Sequence, residues 1–196
     1  VSSGEVYGNG DVDNWKESDS GYVDCMTLRS CYPTSKRAAE TLCVAYSHQY
    51  NIEAVVARPC HTFGPHFTDN DTRAYAQFVR NARNHEDIVL KSRGEQYRSW
   101  LYVKDCASAI LTILLKGLNA EAYNVADVNS CVTIRELAET IAHIGGSKVV
   151  FNLPYEVEKQ GFSVIRKAVF DTSKLEALEW IPQYKLQEAL VETIKG

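Results

Sequence analysis

Tyr32 and Lys36 stand four residues apart in the stretch Cys31-Tyr32-Pro33-Thr34-Ser35-Lys36. On a helix that spacing stacks both side chains on one face. An ammonium held near a phenol favours the phenolate and draws the tyrosine pKa down from about 10. A tyrosine in that state can act as a general base towards an alcohol. The spacing recurs at Tyr155 and Lys159, and short patterns of this kind also arise by chance. The surroundings must decide which pair works.

Those surroundings read as alternating helices and strands. Residues 6–30, rich in Gly, Asp, Asn and Ser, read as a long polar loop. Ser30 to about Tyr50 is helical, with Ala38, Leu42, Ala45 and Tyr46 on one apolar stripe. Ile52–Ala57 suits a buried strand that Arg58-Pro59 stops. Helices are expected over 72–84, 107–115, 172–178 and 186–194. Another opens at Thr133, where Thr133-x-x-Glu136 forms a capping box. Short strands are expected at 88–90, 100–103, 122–126 and 148–151, while 156–165 has no clear reading. This alternation predicts an α/β architecture.

Bulk composition narrows the function classes. The 196 residues carry 45% hydrophobic and 23% charged side chains, ordinary for a globular protein. The net charge of −4 and the scatter of Lys and Arg give no nucleic-acid surface. No apolar run reaches the roughly 18 residues that span a bilayer, so neither membrane nor nucleic acid is an expected partner. Cys25, Cys31, Cys43, Cys60, Cys106 and Cys131 contain no CxxC pair. Most sit among apolar neighbours, which suits reduced, buried thiols in a cytoplasmic protein. No His or Cys lies at ligand spacing from His61, so no metal site is expected. The chain opens on Val1-Ser2-Ser3 without an initiator Met or leader pattern, and reads as a fragment.

A dinucleotide fold places a Gly-rich turn between its first strand and helix, where the backbone approaches the pyrophosphate. Neither G-x-G-x-x-G nor G-x-x-G-x-x-G occurs here. If the protein uses NAD, that half of the cofactor site is expected upstream of Val1.

Five blocks follow one another in order: Ser2-Ser3-Gly4-Glu5-Val6-Tyr7-Gly8; Tyr32 with Lys36; Arg58-Pro59-Cys60-His61-Thr62-Phe63-Gly64-Pro65; Arg98-Ser99-Trp100-Leu101-Tyr102-Val103-Lys104-Asp105; and Leu175-Glu176-Ala177-Leu178-Glu179-Trp180-Ile181-Pro182. Together they resemble the extended short-chain dehydrogenase/reductases, the NAD-dependent nucleotide-sugar epimerase/dehydratase family. The resemblance covers essentially the whole chain and singles out Tyr32-Lys36 over Tyr155-Lys159. It implies the C-terminal part of a Rossmann-like doubly wound parallel sheet plus a smaller α/β substrate-binding domain. Residues 1–60 would belong to the NAD-binding domain with the Tyr-Lys helix. Residues 61–196 would be mainly the nucleotide-sugar domain, with some segments returning to the first.

The resemblance also implies roles. Tyr32 takes the proton of a sugar hydroxyl while NAD accepts the hydride. Lys36 tunes Tyr32 and hydrogen-bonds the nicotinamide ribose, and Ser3 hydrogen-bonds the same hydroxyl. Pro59, Cys60 and His61 line the cofactor, and His61 stands where the family usually has an Asn that touches the sugar nucleotide. Arg98 and Arg166 match basic positions that bind the nucleotide diphosphate, where a planar guanidinium suits bidentate contact. Glu5 follows Gly4 where 4,6-dehydratases carry an Asp-Glu pair, so the usual acid is missing. Ser-Glu-Val-Tyr-Gly, Lys36–Glu40 and Gln96–Ser99 resemble UDP-glucuronate decarboxylases. The reading is therefore a UDP-glucuronate decarboxylase-like enzyme, a homodimer when full length and inactive as this piece. A UDP-sugar 4-epimerase is its first alternative. A simple reductase on the same scaffold and a non-catalytic substrate-binding module are further ones.

Overall fold

The computed structural model describes residues 1–153 and 167–196. Tyr155, Lys159 and Arg166 lie outside them. A 3₁₀ turn at Gly4–Tyr7 is followed by a second at Leu28–Ser30, and α1 runs from Cys31 to Tyr50. Pro33 falls in its first turn, where a missing N–H costs nothing. Asn51 ends it with a left-handed backbone, φ 53°, which asparagine tolerates. Then come β1 (Val56–Pro59), β2 (His61–Phe63), α2 (Ala74–Arg83), β3 (Ile88–Leu90), β4 (Tyr97–Tyr102), α3 (Val103–Lys116) and β5 (Ala122–Val125). The chain continues through β6 (Cys131–Thr133), α4 (Ile134–Gly145), β7 (Val149–Phe151), β8 (Lys167–Ala168), α5 (Ser173–Glu176) and α6 (Leu186–Lys195).

Among the described residues the strands form three small sheets. β1 pairs β5 in parallel, Val56 opposite Ala122 and Pro59 opposite Val125. β4 is the hub of the second sheet, parallel to β2 and β8 and antiparallel to β6. β3 pairs β7 in parallel. Each parallel pair is joined through helices, as parallel strands require.

Among the described residues three apolar clusters hold these layers. The largest joins α2, α4 and α6 to β3 and β4 through Phe78, Val79, Ile88, Trp100, Leu137, Ile141 and Leu190. Burying each such side chain contributes on the order of 1.5–3 kcal/mol. A second packs α3 on β1 and β5 through Ala109, Ile113, Tyr123, Leu175 and Trp180. The smallest gathers Val6, Tyr7, Trp15, Ala126 and Phe170. Buried Asp105 at the start of α3 accepts the backbone N–H of Gln183 (2.9 Å) and Tyr184 (3.1 Å), which fixes the approach to α6. The capping box at the start of α4 is complete: Thr133 Oγ1 accepts from Glu136 N, and the Glu136 carboxylate accepts from Thr133 N.

Several local readings need correction. The strand near residue 55 begins at Val56 and includes Arg58 and Pro59, because β5 supplies partners only from Ala122 onward and the terminal Pro59 needs no ladder donor. Segment 6–30 is anchored rather than loose: Trp15 and Tyr7 are buried, and bridges tie Asn9 to Tyr22 and Trp15 to Phe170. The stripe on α1 is not a buried face of this chain, since Leu42 and Tyr46 are exposed and only Pro33 and Ser47 are buried. The cysteines are free, but Cys25 and Cys31 are exposed and only Cys106 is buried. β2 and β6, three residues each, are too short to register as periodic patterns. Among the described residues no helix is long and apolar enough to cross a membrane.

Candidate active site

The extended backbone at Ser3 (φ −159°, ψ 151°) leads into the Gly4–Tyr7 turn, and Ser3 Oγ accepts the Glu5 N–H at 3.2 Å. Ser2 N donates to Ala57 O at 2.7 Å, so this segment runs along the free edge of β1. α1 packs against the same turn. Three donors of Arg37 fasten it there, reaching Val6 O (2.6 Å), Tyr7 O (3.2 Å) and Gly21 O (2.8 Å). One residue earlier, Lys36 Nζ donates to Val1 O at 3.1 Å and lies 5.7 Å from the centre of the Tyr32 ring. The Tyr32 side chain is exposed. Ser3, Glu5, Tyr32 and Lys36 are thus gathered at one end of α1.

Beneath them lies a buried polar junction. Arg58 on β1 grips Glu40 of α1 in a fork, Nε to Oε1 at 2.9 Å and Nη2 to Oε2 at 2.7 Å. Its Nη1 donates to the Tyr7 hydroxyl (3.0 Å) and to Glu17 O (2.9 Å). Tyr7 in turn donates to Asn124 Oδ1 at 2.6 Å, and Asn124 Nδ2 donates to Trp15 O and Asp171 O. Burial pushes the Tyr7 phenol up to about 12 despite the neighbouring Arg58, so it remains a neutral donor. Burial opposes the charge on Arg58, but the Glu40 fork and the Tyr7 hydroxyl together outweigh it and the pKa rises above the ordinary arginine range. Sequence reading took Arg58 as part of a strand stop and as the head of the Arg58–Pro65 block, and gave it no partner. Its reach to α1 depends on a contact 18 residues away, which no local pattern reveals.

Pro59, Cys60 and His61 follow at the carboxyl end of β1, where open α/β sheets receive ligands. Enclosure pushes the Cys60 thiol well above its usual range, with Cys106 and Cys131 adding to the effect, so it stays protonated and is no nucleophile. His61 sits opposite Trp100 in the β2–β4 register, their rings 5.4 Å apart. It keeps an accessible edge, yet enough protein surrounds the ring that desolvation, then Arg98, Arg29 and Arg73, hold its pKa down to about 4. The neutral ring is therefore favoured at ordinary pH, and in that form His61 can donate or accept a hydrogen bond. Arg98 is 5% exposed, donates to Tyr97 O at 2.9 Å, and burial draws its pKa down.

Gly4 is closed to larger residues: a Cβ there would lie 2.4 Å from Phe170 Cζ. Beside it Glu5 pairs with Arg29 at 3.2 Å. For a dinucleotide, the residues present fit one end. Lys36 and Tyr32 offer an amine and a phenol on one accessible face, suited to a ribose and its nicotinamide. No pyrophosphate cradle accompanies them: among the described residues the positive-φ glycines Gly8, Gly94 and Gly146 cap a 3₁₀ turn, close a loop and end α4. Among the described residues no group of three or more His, Cys, Asp or Glu is placed to hold a metal.

Residues 1–126 match the model of the NAD dependent epimerase/dehydratase family. The chain belongs to that family. It is 33% identical over 97% of its length to UDP-glucuronic acid decarboxylase 3 of Arabidopsis thaliana, and 32% over 99% to UDP-glucuronic acid decarboxylase 1 of Xenopus tropicalis. It spans about half the length of these curated relatives, 54% and 45% respectively. Among solved structures, the dTDP-glucose 4,6-dehydratase of Bacillus anthracis in complex with NAD superposes with a TM-score of 0.81 at 26% identity, covering 100% of this chain and 59% of that one. The UDP-N-acetylglucosamine 4-epimerase of Methanobrevibacter ruminantium gives 0.83 at 28%, covering 99% and 60%. The α/β, Rossmann-like class read from the sequence stands.

Proposed function

We propose that the whole protein is an NAD-dependent nucleotide-sugar enzyme of the UDP-glucuronate decarboxylase type, with Tyr32 as its proton acceptor. The observation that carries this is the exposed Tyr32 with Lys36 on the same face of α1, fastened beside Ser3 and Glu5. NAD, when bound, accepts the hydride from the sugar carbon that bears the reacting hydroxyl. Tyr32 accepts the hydroxyl proton, Ser3 hydrogen-bonds the same oxygen, and Lys36 sets a positive charge on the side where negative charge develops. The ketone so formed lets the neighbouring carboxylate leave as CO2, the electron pair left behind being held as an enolate. Water would supply the proton that carbon takes up, and Tyr32 would return its own proton to the carbonyl oxygen as the hydride returns. Pro59, Cys60 and His61 border the cofactor, and His61 gives the sugar nucleotide a neutral hydrogen-bonding partner. Arg98 receives the diphosphate, and Arg166 is assigned to it as well.

Decarboxylation is favoured over dehydration because Gly4 has no room for an acid. The decarboxylase relatives support the same choice. A 4-epimerase is the second reading, supported by the likeness to the Methanobrevibacter enzyme. A non-catalytic, substrate-binding role for the chain on its own follows from the missing pyrophosphate cradle among the described residues. In this reading residues 1–60, with α3 and β5, form the cofactor side and most of 61–196 the sugar side. The exposed stripe on α1 supports a homodimer of the whole protein.

The test is to incubate full-length protein with UDP-glucuronate and follow CO2 release, beside interconversion of UDP-glucose and UDP-galactose. Tyr32→Phe should lower turnover by about a hundredfold or more while circular dichroism stays unchanged. Absence of turnover with every nucleotide sugar would sink the enzyme reading; epimerisation without CO2 would select the second.

A further inference from the structure

Two arginines that sequence reading passed over stand at the reacting end of the site. Arg29 lies in the 3₁₀ turn just before α1, three residues ahead of Tyr32. Its side chain is 77% exposed, and its Nη2 rests 3.2 Å from Glu5 Oε1. Arg73 precedes α2. Its Nε and Nη2 fork onto Asp71, its Nη2 also meets the Tyr75 hydroxyl at 3.0 Å, and its Nη1 reaches Thr62 O, beside His61, at 3.4 Å. A guanidinium has five N–H donors, so this arrangement leaves Arg73 an unused Nη1 hydrogen on a side chain that is 60% exposed. It is a cation fixed from one side and open on the other.

The two border one region. Arg29 pairs with Glu5 in the turn that carries Ser3, and Arg73 reaches the carbonyl of Thr62 next to His61. Together with the buried Arg98 both bear electrostatically on His61, and Arg73 also on Tyr32. Unlike Arg98, both are largely exposed. A neutral hexose offers these cations only hydroxyls. A sugar carboxylate offers two coplanar oxygens, which match a guanidinium edge, and in a hexuronate it sits on the ring carbon next to C4.

We propose that Arg29 and Arg73 form a clamp for a carboxylate on the sugar, so that the site selects uronates over neutral hexoses. This rests on the nucleotide-sugar reading above and names the residues that recognise the carboxylate. Arg73 is held ready by Asp71 and Tyr75, and it binds with little loss of side-chain freedom. Arg29 exchanges Glu5 for the substrate carboxylate, which frees Glu5 at the moment the site fills.

Calorimetric titration of full-length protein with UDP-glucuronate, UDP-glucose and UDP tests the clamp. Arg29→Gln and Arg73→Gln should each weaken UDP-glucuronate about tenfold, the loss of one charge-assisted contact, and leave UDP-glucose and UDP unchanged. Arg73→Lys should fall between, because an ammonium cannot offer the fork. Unchanged UDP-glucuronate affinity in both Gln variants, or equal losses for all three ligands, overturns the clamp and leaves the nucleotide-sugar reading intact. Failure of the unsubstituted protein to bind any of the three overturns both. Thermal melting of each variant separates a lost contact from a lost fold.

Discussion

His61 is the residue whose chemistry the structure changes most. Its pKa of about 4 lies below the ordinary 6.5, so the unfolded chain takes up a proton between those values that the folded chain does not. Its contribution therefore destabilises the native state as pH falls from about 6.5 to about 4 and is silent above. Urea unfolding at pH 7.0 and 4.5 should show a drop that His61→Asn reduces, and an NMR titration of the ring should show no midpoint near 6.5. Gly4 makes the complementary case, a residue defined by what it excludes. Gly4→Asp should cost about 1–3 kcal/mol, the usual cost of overpacking, because its Cβ meets Phe170. Restoring the dehydratase-like pair in this way should not restore water loss; an equally stable Gly4→Asp chain in chemical denaturation would refute the steric account.

Among the elements, α3 does more than cover the β1–β5 pair. Through Asp105 at its start it holds the backbone of Gln183 and Tyr184, and Trp180 Nε1 donates to Ser108 Oγ at 3.0 Å. Asp105→Ala leaves the part-buried N–H groups of Gln183 and Tyr184 without their charged partner. At roughly 1–3 kcal/mol per unsatisfied group, unfolding should become easier by about 3 kcal/mol. Hydrogen exchange should quicken first at 183–184; unchanged protection there would refute the role. Sequence made much of this scale legible, since α1, α2, α3, α4 and α6 follow from periodicity and the Thr133 capping box. It was poor on pairing. β3 and β4 flank a turn yet do not pair with each other, because β7 and β2 compete for them from 61 and 39 residues away. Candidate site residues were legible where a short block carries the chemistry, as for Ser3, Tyr32 and Lys36. Arg29, Arg73 and the Arg58 junction were not, because their meaning lies in partners distant in sequence or in the direction a side chain takes.

For the whole molecule the telling feature is uncovered apolar surface. Leu42, Tyr46 and Tyr50 on α1 and Leu111, Leu114 and Leu115 on α3 are all exposed. A surface of that kind favours association. Replacing Leu114 and Leu115 by Glu should change the stability of this chain by no more than about 0.5 kcal/mol per site, as at other surface positions. Sedimentation velocity should show less self-association than in the unsubstituted chain; equal association would move the contact elsewhere.

The junction at Arg58 has a consequence for anyone seeking to move this chemistry to another scaffold. Glu40, the Tyr7 hydroxyl and the Glu17 carbonyl meet on one guanidinium, and Asn124 joins them through Tyr7 and Glu17, so the helix of Tyr32 and the turn of Ser3 and Glu5 take their spacing from a shared anchor. Grafting the Tyr-x-x-x-Lys helix alone would transplant the reagents without the ruler that sets them apart. The smallest portable unit is helix, turn, both strands and the arginine between them.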